Sequence, residues 1–319
     1  MENNQALSVS IILPLYNGES TIIKTLESLL SQTVKFSELI VVNDASSDKS
    51  LEIVQKFLDQ KLDYKIINHE KNFGLAKSYN DAIRISKGDL IVTLHQDVIL
   101  QDDSLEKLIA PFKDSSVVAS SHVVMHPLKI WETYNFWQRC FFARQAGKDQ
   151  HGIDGKFDCF RREALFKAGL FDESHFRSAG EDADMVFKLK KIGKIVDTDA
   201  KIIHLHKIDP DFSWKDILRK QAQYSEAQGT LLARGRIKNP VLLGRSFFRE
   251  MTLLVLAVPY LRIFSLACIL LYSFFYTRLV FIGSWRDKRI LFLPFFNISL
   301  LFVSLAFSFK GFIYGKQRV

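Results

Sequence analysis

The chain has 319 residues, 48% of them hydrophobic, with 27 Phe and a formal charge of +8. That length fits one large domain or one domain with an appendage, and a basic balance points to nucleic acid, an anionic lipid surface or a phosphorylated ligand. No lysine/arginine run of nucleic-acid type is present, which argues against nucleic acid and leaves a membrane surface and a diphosphate. The opening MENNQALSVS lacks the basic flank and apolar core of a cleavable signal peptide. Cys140, Cys159 and Cys268 form no CxxC pair and fit a reduced cytosolic face better than a disulfide framework.

Residues 8–15 (SVSIILPL) are an apolar run punctuated by Pro14 and followed by Tyr16-Asn17-Gly18. Ile22, Leu26, Leu29 and Leu30 then recur at the spacing of one buried helical stripe. Residues 39–44 (LIVVND) read as a second buried strand, and Ser46 and Ser47 as caps of a helix carrying Leu51, Ile53, Val54 and Phe57. A third strand at 64–68 (YKIIN) precedes a helix from about Gly74 to Ile85, and 90–94 (LIVTL) is a fourth strand running into His95-Gln96-Asp97. Alternation along a strand puts His95 and Asp97 on one face and Gln96 on the other. A carboxylate beside an imidazole suits a metal site or a satisfied polar pair at a sheet edge.

Near-continuously apolar strands alternating with helices predict an α/β fold, a parallel sheet covered on both faces. Ligands of such sheets sit beyond the carboxyl ends of the strands. Asn17, Asn43, Asp44, Asn68, His95 and Asp97 all fall there, although Asn17, Asn43 and Asn68 also read as turn residues or caps. Further on, 116–124 reads as a strand, 131–142 (WETYNFWQRCFF) as a helix or loop lining a cavity or touching membrane, and 157–169 as a strand turning into a short helix. Residues 178–193 read as a helix, 201–206 (KIIHLH) as a strand, and 211–234 as a long amphipathic helix lying along an interface, with plain packing as its alternative. Residues 290–309 carry no charge and are long enough to cross about 30 Å of hydrocarbon. The preceding 251–283, apolar apart from Arg262 and Arg278, suits one tilted span or a re-entrant hairpin. The expected division is 1–210, a catalytic domain; 211–248, an amphipathic juxtamembrane helix and linker; and 249–319, a membrane region.

Taken in order, SVSIILPLYNGESTIIKTLESLLSQT, LIVVNDASSDKS, NFGLAKSYNDAI, KGDLIVTLHQDV and GEDADMVFKLKKIG resemble a family 2 glycosyltransferase of the GT-A, Rossmann-like fold over about residues 8–195. The resemblance implies an inverting enzyme with a nucleotide-diphosphate sugar donor (UDP-, GDP- or dTDP-linked) and a divalent cation, Mn2+ or Mg2+. By position, Pro14, Tyr16, Asn17 and Asp44 would line the nucleoside pocket, with Gln96 counted among the donor contacts. Asp97 would be the metal aspartate of the family's Asp-x-Asp motif, and Asp182 of the Glu181-Asp182 pair the general base. His95 stands where the family usually has aspartate, and Val98 where it often has another acidic residue, so the motif is thinned to one carboxylate.

One carboxylate plus substrate phosphates suffices for such a cation. His95 either joins the shell, favouring Mn2+, or hydrogen-bonds backbone or ribose. His204 and His206 share a face if 201–206 is a strand, and each is either a metal or diphosphate contact or a satisfied polar residue. Lys71, Asn72 and Lys77 lie around the start of the third helix, where free N–H groups can meet a phosphate. Ser178 and Glu181 have capping-box spacing; Glu181 folded onto the cap would leave Asp182, about 100° away around the helix, to face the acceptor. At the positive end of the helix dipole Asp182 is expected to have a low pKa, with Asp184 solvated. The expected function is transfer to a hydroxyl of a lipid-linked or polysaccharide acceptor at the cytoplasmic membrane, the catalytic domain facing the cytoplasm. A polyprenyl-phosphate sugar synthase and a non-catalytic sugar-nucleotide scaffold are the alternatives.

Overall fold

Residue alternation in the first strands sets the architecture. In β1 (Val9–Leu15), Ile11, Leu13 and Leu15 enter one apolar cluster and Ile12 another. In β2 (Glu38–Asn43), Leu39 and Val41 part from Ile40 and Val42 in the same way. Successive side chains of a strand point to opposite faces, so this sheet has a core on each side, as a parallel sheet needs. Ile11, Ile12 and Leu13 are wholly buried, each worth about 1.5–3 kcal/mol relative to exposure.

The computed structural model describes residues 7–59, 61–177, 179–206 and 209–318. In chain order β1 is followed by α1 (Ile22–Leu30), β2, α2 (Ser50–Leu58), β3 (Tyr64–Asn68), α3 (Leu75–Ile85), β4 (Leu90–Thr93), β5 (Val98–Leu100), α4 (Ser104–Ile109) and β6 (Val117–Met125). Then come α5 (Leu128–Glu132), α6 (Phe136–Phe142), β7 (Asp149–Gly152), β8 (Cys159–Arg161), α7 (Arg162–Lys167), α8 (Glu181–Leu189) and β9 (Lys194–His204). The helical remainder is α9 (Trp214–Ala233), α10 (Pro240–Ser246), α11 (Phe248–Leu254), α12 (Arg262–Phe275), α13 (Arg278–Gly283) and α14 (Leu293–Tyr314). The chain forms two compact units, one of residues 1–125, 149–173 and 181–207, the other of 126–148, 174–180 and 208–319.

The first unit holds the sheet, ordered β3-β2-β1-β4-β8-β6-β9-β5, with β7 added on β6. Its β3-β2-β1-β4 half is parallel, while β8 and β7 pair antiparallel with their neighbours and β5 runs antiparallel to β9. Two local expectations fail here. Ser46 and Ser47 do not cap α2, which begins at Ser50; the Asp48 carboxylate accepts from the Ser50 N–H at 3.0 Å instead. The stretch VTLHQDVIL is not one strand but two, β4 and β5, joined by a turn at Gln96-Asp97.

In the second unit the aromatic stretch 131–142 ends α5 and forms α6, and Trp131, Phe136 and Cys140 share an apolar cluster with Ile217, Val280 and Phe296. Residues 251–283 are not one span but the end of α11, then α12 and α13, with breaks at Pro259 and Thr277, and α12 has 14 residues. Lys288–Tyr314 is long and apolar enough to cross a membrane by length and composition. The long helix α9 is a packing helix, with Ile217, Ala222, Ser225 and Gly229 buried.

Candidate functional site

The turn between β4 and β5 gathers the first group of ligand-type side chains. Pairing of β5 with β9 sets Val98 opposite His204, and the Leu205 N–H donates to the Asp97 carbonyl at 2.6 Å. As a result His204 Nε2 lies 3.2 Å from Asp97 Oδ2. One ligand atom each of His95, Asp97 and His204 fall within 4.8 Å of one another, and the His206 ring centroid is 4.0 Å from that of His204. His95 and Asp97 therefore converge as expected, through a tight turn rather than through strand alternation. His95 Nε2 and Asp97 Oδ1 are shielded from water and have no hydrogen-bond partner. Burial lowers the His95 pKa to about 4. Burial works against ionisation of Asp97, but the His204, His95 and His206 imidazoles beside it win and hold its carboxyl well below the usual range. A neutral imidazole, an ionised carboxylate and two unsatisfied ligand atoms fit a divalent cation.

A second cluster lies against the first. The His95 N–H donates to the Lys156 carbonyl at 2.9 Å, in a loop that turns at Gly155 with φ +84°. His122, wholly buried on β6, meets Asp158 Oδ1 through Nδ1 at 2.9 Å and Asp154 Oδ1 through Nε2 at 3.3 Å. The Lys156 ammonium sits 2.5 Å from Asp154 Oδ2, and Asp158 Oδ2 accepts the N–H groups of Gly155 and Asp154 at 2.6 and 3.0 Å. Lys156 already supplies a counter-charge to this group, whose ligand atoms on His122, Asp154 and Asp158 also fall within 4.8 Å of one another. Burial favours a neutral Lys156, but Asp154 and Asp158 outweigh it and raise its pKa.

At the start of α8, Glu181 is buried and Asp182 half-buried. Asp182 Oδ1 accepts the Ala183 N–H at 2.7 Å, while Glu181 Oε2 has no partner. The proposed cap by Ser178 falls on a residue outside those described. The low pKa expected of Asp182 is overturned: protein crowds it on most sides, and burial, helped by the charges of Asp154 and Asp158, pushes it up to about 6 against the Ala183 N–H and Lys156. Burial and the neighbouring Asp182 push Glu181 up to about 8. Asp184 is not solvated but wholly buried, 2.8 Å from Lys188.

The expected nucleotide contacts scatter more. Gln96 grips the backbone of Tyr16 at both ends, Oε1 accepting the N–H and Nε2 donating to the carbonyl, each at 2.9 Å. A Cβ at Gly18 would stand 2.5 Å from that amide. Tyr16 is exposed, Asn17 takes φ +50° and accepts the Ser47 N–H at 2.8 Å, and Pro14 is buried within β1 beside Val42. Asp44 is buried, its oxygens accepting the Phe73 and Gly74 N–H groups, both at 2.8 Å, with Oδ1 also 2.7 Å from His69. It therefore orders the entry to α3 rather than standing free on the rim. Asn72 is half-buried just before α3, and Lys77 is paired with Asp81 at 2.6 Å. Asn43 and Asn68, paired at the ends of β2 and β3, bond each other at 3.1 Å as strand ends rather than as helix caps. Sequence reasoning missed His122, Asp154, Lys156 and Asp158. The signal available was a histidine inside the apolar strand 116–124 and two aspartates bracketing Gly155-Lys156.

Among solved structures, a mannosyltransferase of Pyrobaculum calidifontis in complex with GDP-Man and Mn2+ superposes with a TM-score of 0.60, at 17% identity over 94% of this chain and 86% of that one. GalNAc-T7 with UDP, GalNAc and Mn2+ gives 0.53, at 14% identity over 77% of this chain and 54% of that one. These likenesses establish the GT-A-like fold. A poly-β-1,6-N-acetyl-D-glucosamine synthase of Staphylococcus epidermidis is 33% identical over 180 residues, 54% of this chain and 43% of the relative. A hyaluronan synthase of Pasteurella multocida is 29% identical over 210 residues, 64% and 20%. The chain spans less than half the length of these curated relatives. The pattern of glycosyl transferase family group 2 matches residues 90–309, and that of glycosyl transferase family 2 matches residues 10–169, half of the chain. With that match over half of the chain and a sheet of the same fold, the chain belongs to glycosyl transferase family 2.

Proposed function

We propose that the chain is an inverting, metal-assisted glycosyltransferase attached to the cytoplasmic membrane, moving a sugar from a nucleotide-diphosphate donor to a hydroxyl of a lipid-linked or polysaccharide acceptor. One observation carries the proposal: the unsatisfied His95–Asp97–His204 group stands in the same unit as Asp182, a carboxylate with a pKa raised to about 6. A divalent cation held by those three side chains would supply positive charge to the diphosphate oxygens, and imidazole ligands favour Mn2+. Asp182 takes the acceptor's proton. The acceptor oxygen bonds the anomeric carbon from the face opposite the diphosphate, and the carbon–oxygen bond to phosphate breaks with its electrons going to the phosphate. A base with a pKa near 6 is ionised at neutral pH yet strong enough to receive a proton late in the transition state. Gln96 holds the turn at Tyr16 and Asn17 that would meet the nucleoside, and residues 1–210 would form the catalytic domain. The apolar C-terminal region would attach the enzyme, with 211–248 as the link.

Purified protein should release nucleoside diphosphate from one member of a panel of UDP-, GDP- and dTDP-sugars, with Mn2+ or Mg2+ and not with chelator. Asp182→Asn should abolish transfer to a hydroxyl acceptor. Substantial activity of that variant with polyprenyl phosphate would favour the lipid-phosphate synthase, since a phosphate acceptor needs little deprotonation. Donor binding without turnover would favour the scaffold.

A further inference from the structure

The helix long enough to cross a bilayer is not free to do so. In α14, Leu293, Phe296 and Leu300 share a cluster with Ile217 of α9 and with Trp131 and Phe136. Further along, Ser225 of α9 bonds Ser304 at 3.0 Å, and the backbones come so close that a Cβ at Gly229 would lie 1.9 Å from the Ser308 carbonyl oxygen. Near the ends of both helices Lys310 pairs with the wholly buried Glu226 at 3.0 Å. Helix α9 thus flanks α14 from start to finish, running in the same direction. It carries five charged residues, of which Lys215 and Arg219 are exposed. Carrying α14 across hydrocarbon would drag those charges through it, which bilayers resist strongly. Helix α12, with 14 residues, is shorter than the roughly 20 a span needs.

The apolar surface lies elsewhere. Along α12, Ile263 and Phe264 are 85% and 67% exposed, and Leu270, Leu271 and Phe274 continue that face. On the side of α14 away from α9, Phe295, Phe302 and Phe309 form an exposed stripe one heptad apart. Charge identifies what covers these faces. Residues 240–319 contain ten basic and two acidic side chains, so the formal excess of +8 for the whole chain resides there. One of the two acids, Glu250, is buried against Ser304 and Ser308, and the other, Asp287, is held by Arg289. Arg245, Arg262, Arg278, Arg286 and Lys288 remain exposed beside the apolar helices, with Tyr260 and Trp285 exposed among them. Exposed hydrocarbon rimmed by cations and interfacial aromatics matches the headgroup–acyl boundary of an anionic leaflet.

We propose that the C-terminal region lies in the plane of one leaflet of an anionic bilayer and crosses nothing: α12 and the outer stripe of α14 sit in the acyl layer, and the basic side chains meet lipid phosphates. The proposal rests on the membrane attachment put forward above and settles its kind. The test uses full-length protein in a Cys268→Ala background, Cys140 and Cys159 being buried. Lys288→Cys and Lys316→Cys, one before and one after α14, are treated in intact and in permeabilised cells with a membrane-impermeant maleimide. The two positions should behave alike, unlabelled in intact cells and labelled after permeabilisation. Labelling of only one of them from outside would mean α14 crosses, and would overturn in-plane lodging while leaving attachment standing. Purified protein should also sediment with preformed phosphatidylglycerol vesicles, and Arg278→Gln, Arg286→Gln and Lys288→Gln together should weaken that by on the order of a hundredfold, at about fivefold per charge. No sedimentation with such vesicles, or a lipid-free dimer covering the same face, would overturn both lodging and attachment.

Discussion

With its raised pKa, Asp182 in the role proposed for it would make the rate of transfer a report on its neighbours. A base with its pKa near 6 is about one-tenth ionised at pH 5 and about nine-tenths at pH 7, whereas an ordinary aspartate at 3.8 would be almost wholly ionised at both. Turnover at saturating donor and cation should therefore fall about tenfold between pH 7 and pH 5. The sign of each neighbour's effect is fixed by its charge. Lys156 favours the ionised form, so Lys156→Met should carry the acid limb upward; Asp154 opposes it, so Asp154→Asn should carry the limb downward. Glu181, protonated below about 8, should leave that limb in place when changed to Gln. The assay is single-turnover product formation across pH 4.5–8.5, run with each variant, at about half-unit steps. An acid limb near 4 in the parent, or Lys156→Met and Asp154→Asn moving it the same way, would refute the assignment of Asp182 as a base tuned by burial and these neighbours.

Asp97→Asn should weaken Mn2+ binding by about a hundredfold or more, since even partners outside the ligand shell are worth 10–100-fold; titration calorimetry showing equal affinity would sink the triad. Gln96→Ala removes both bonds to Tyr16, about 2 kcal/mol together, and should weaken donor binding by up to about thirtyfold, read by nucleotide titration at fixed Mn2+. Gly311→Ala would set a Cβ 2.0 Å from the Glu226 carbonyl oxygen and should destabilise by about 3 kcal/mol, seen as a lower Tm. Gly244→Ala meets nothing within 4 Å and should not lower it.

The parallel half of the sheet was legible because apolar runs act locally. Each strand from 9 to 93 and each helix between carries its own period. His95 and Asp97 were legible as a pair for the wrong physical reason, since a turn, not a pleat, brings them together. The Asp182 pKa was not legible at all. The helix start is visible in sequence, but the rise comes from burial and then the charges of Asp154 and Asp158, more than 20 positions away in the chain, which together outweigh the local Ala183 N–H. His122 escaped for a related reason: its partners Asp154 and Asp158 arrive on a loop after β7, and nothing near residue 122 announces them. The apolar character of the tail was legible, but the packing of α14 depends on α9, a helix about 80 residues earlier, and on close approach at two glycines.

One consequence of the Gln96 grip on Tyr16 concerns the order in which substrates load. Gln96 sits between His95 and Asp97, so the peptide that would present two ligands to an ion also tethers the loop that would cradle the nucleoside. Drawing His95 and Asp97 toward an ion would tighten that tether, and a seated nucleoside would steady the same peptide from the other side. By thermodynamic reciprocity, any gain in affinity that one lends the other is returned by the same factor, so ion and donor should enter as a cooperative pair rather than as independent guests.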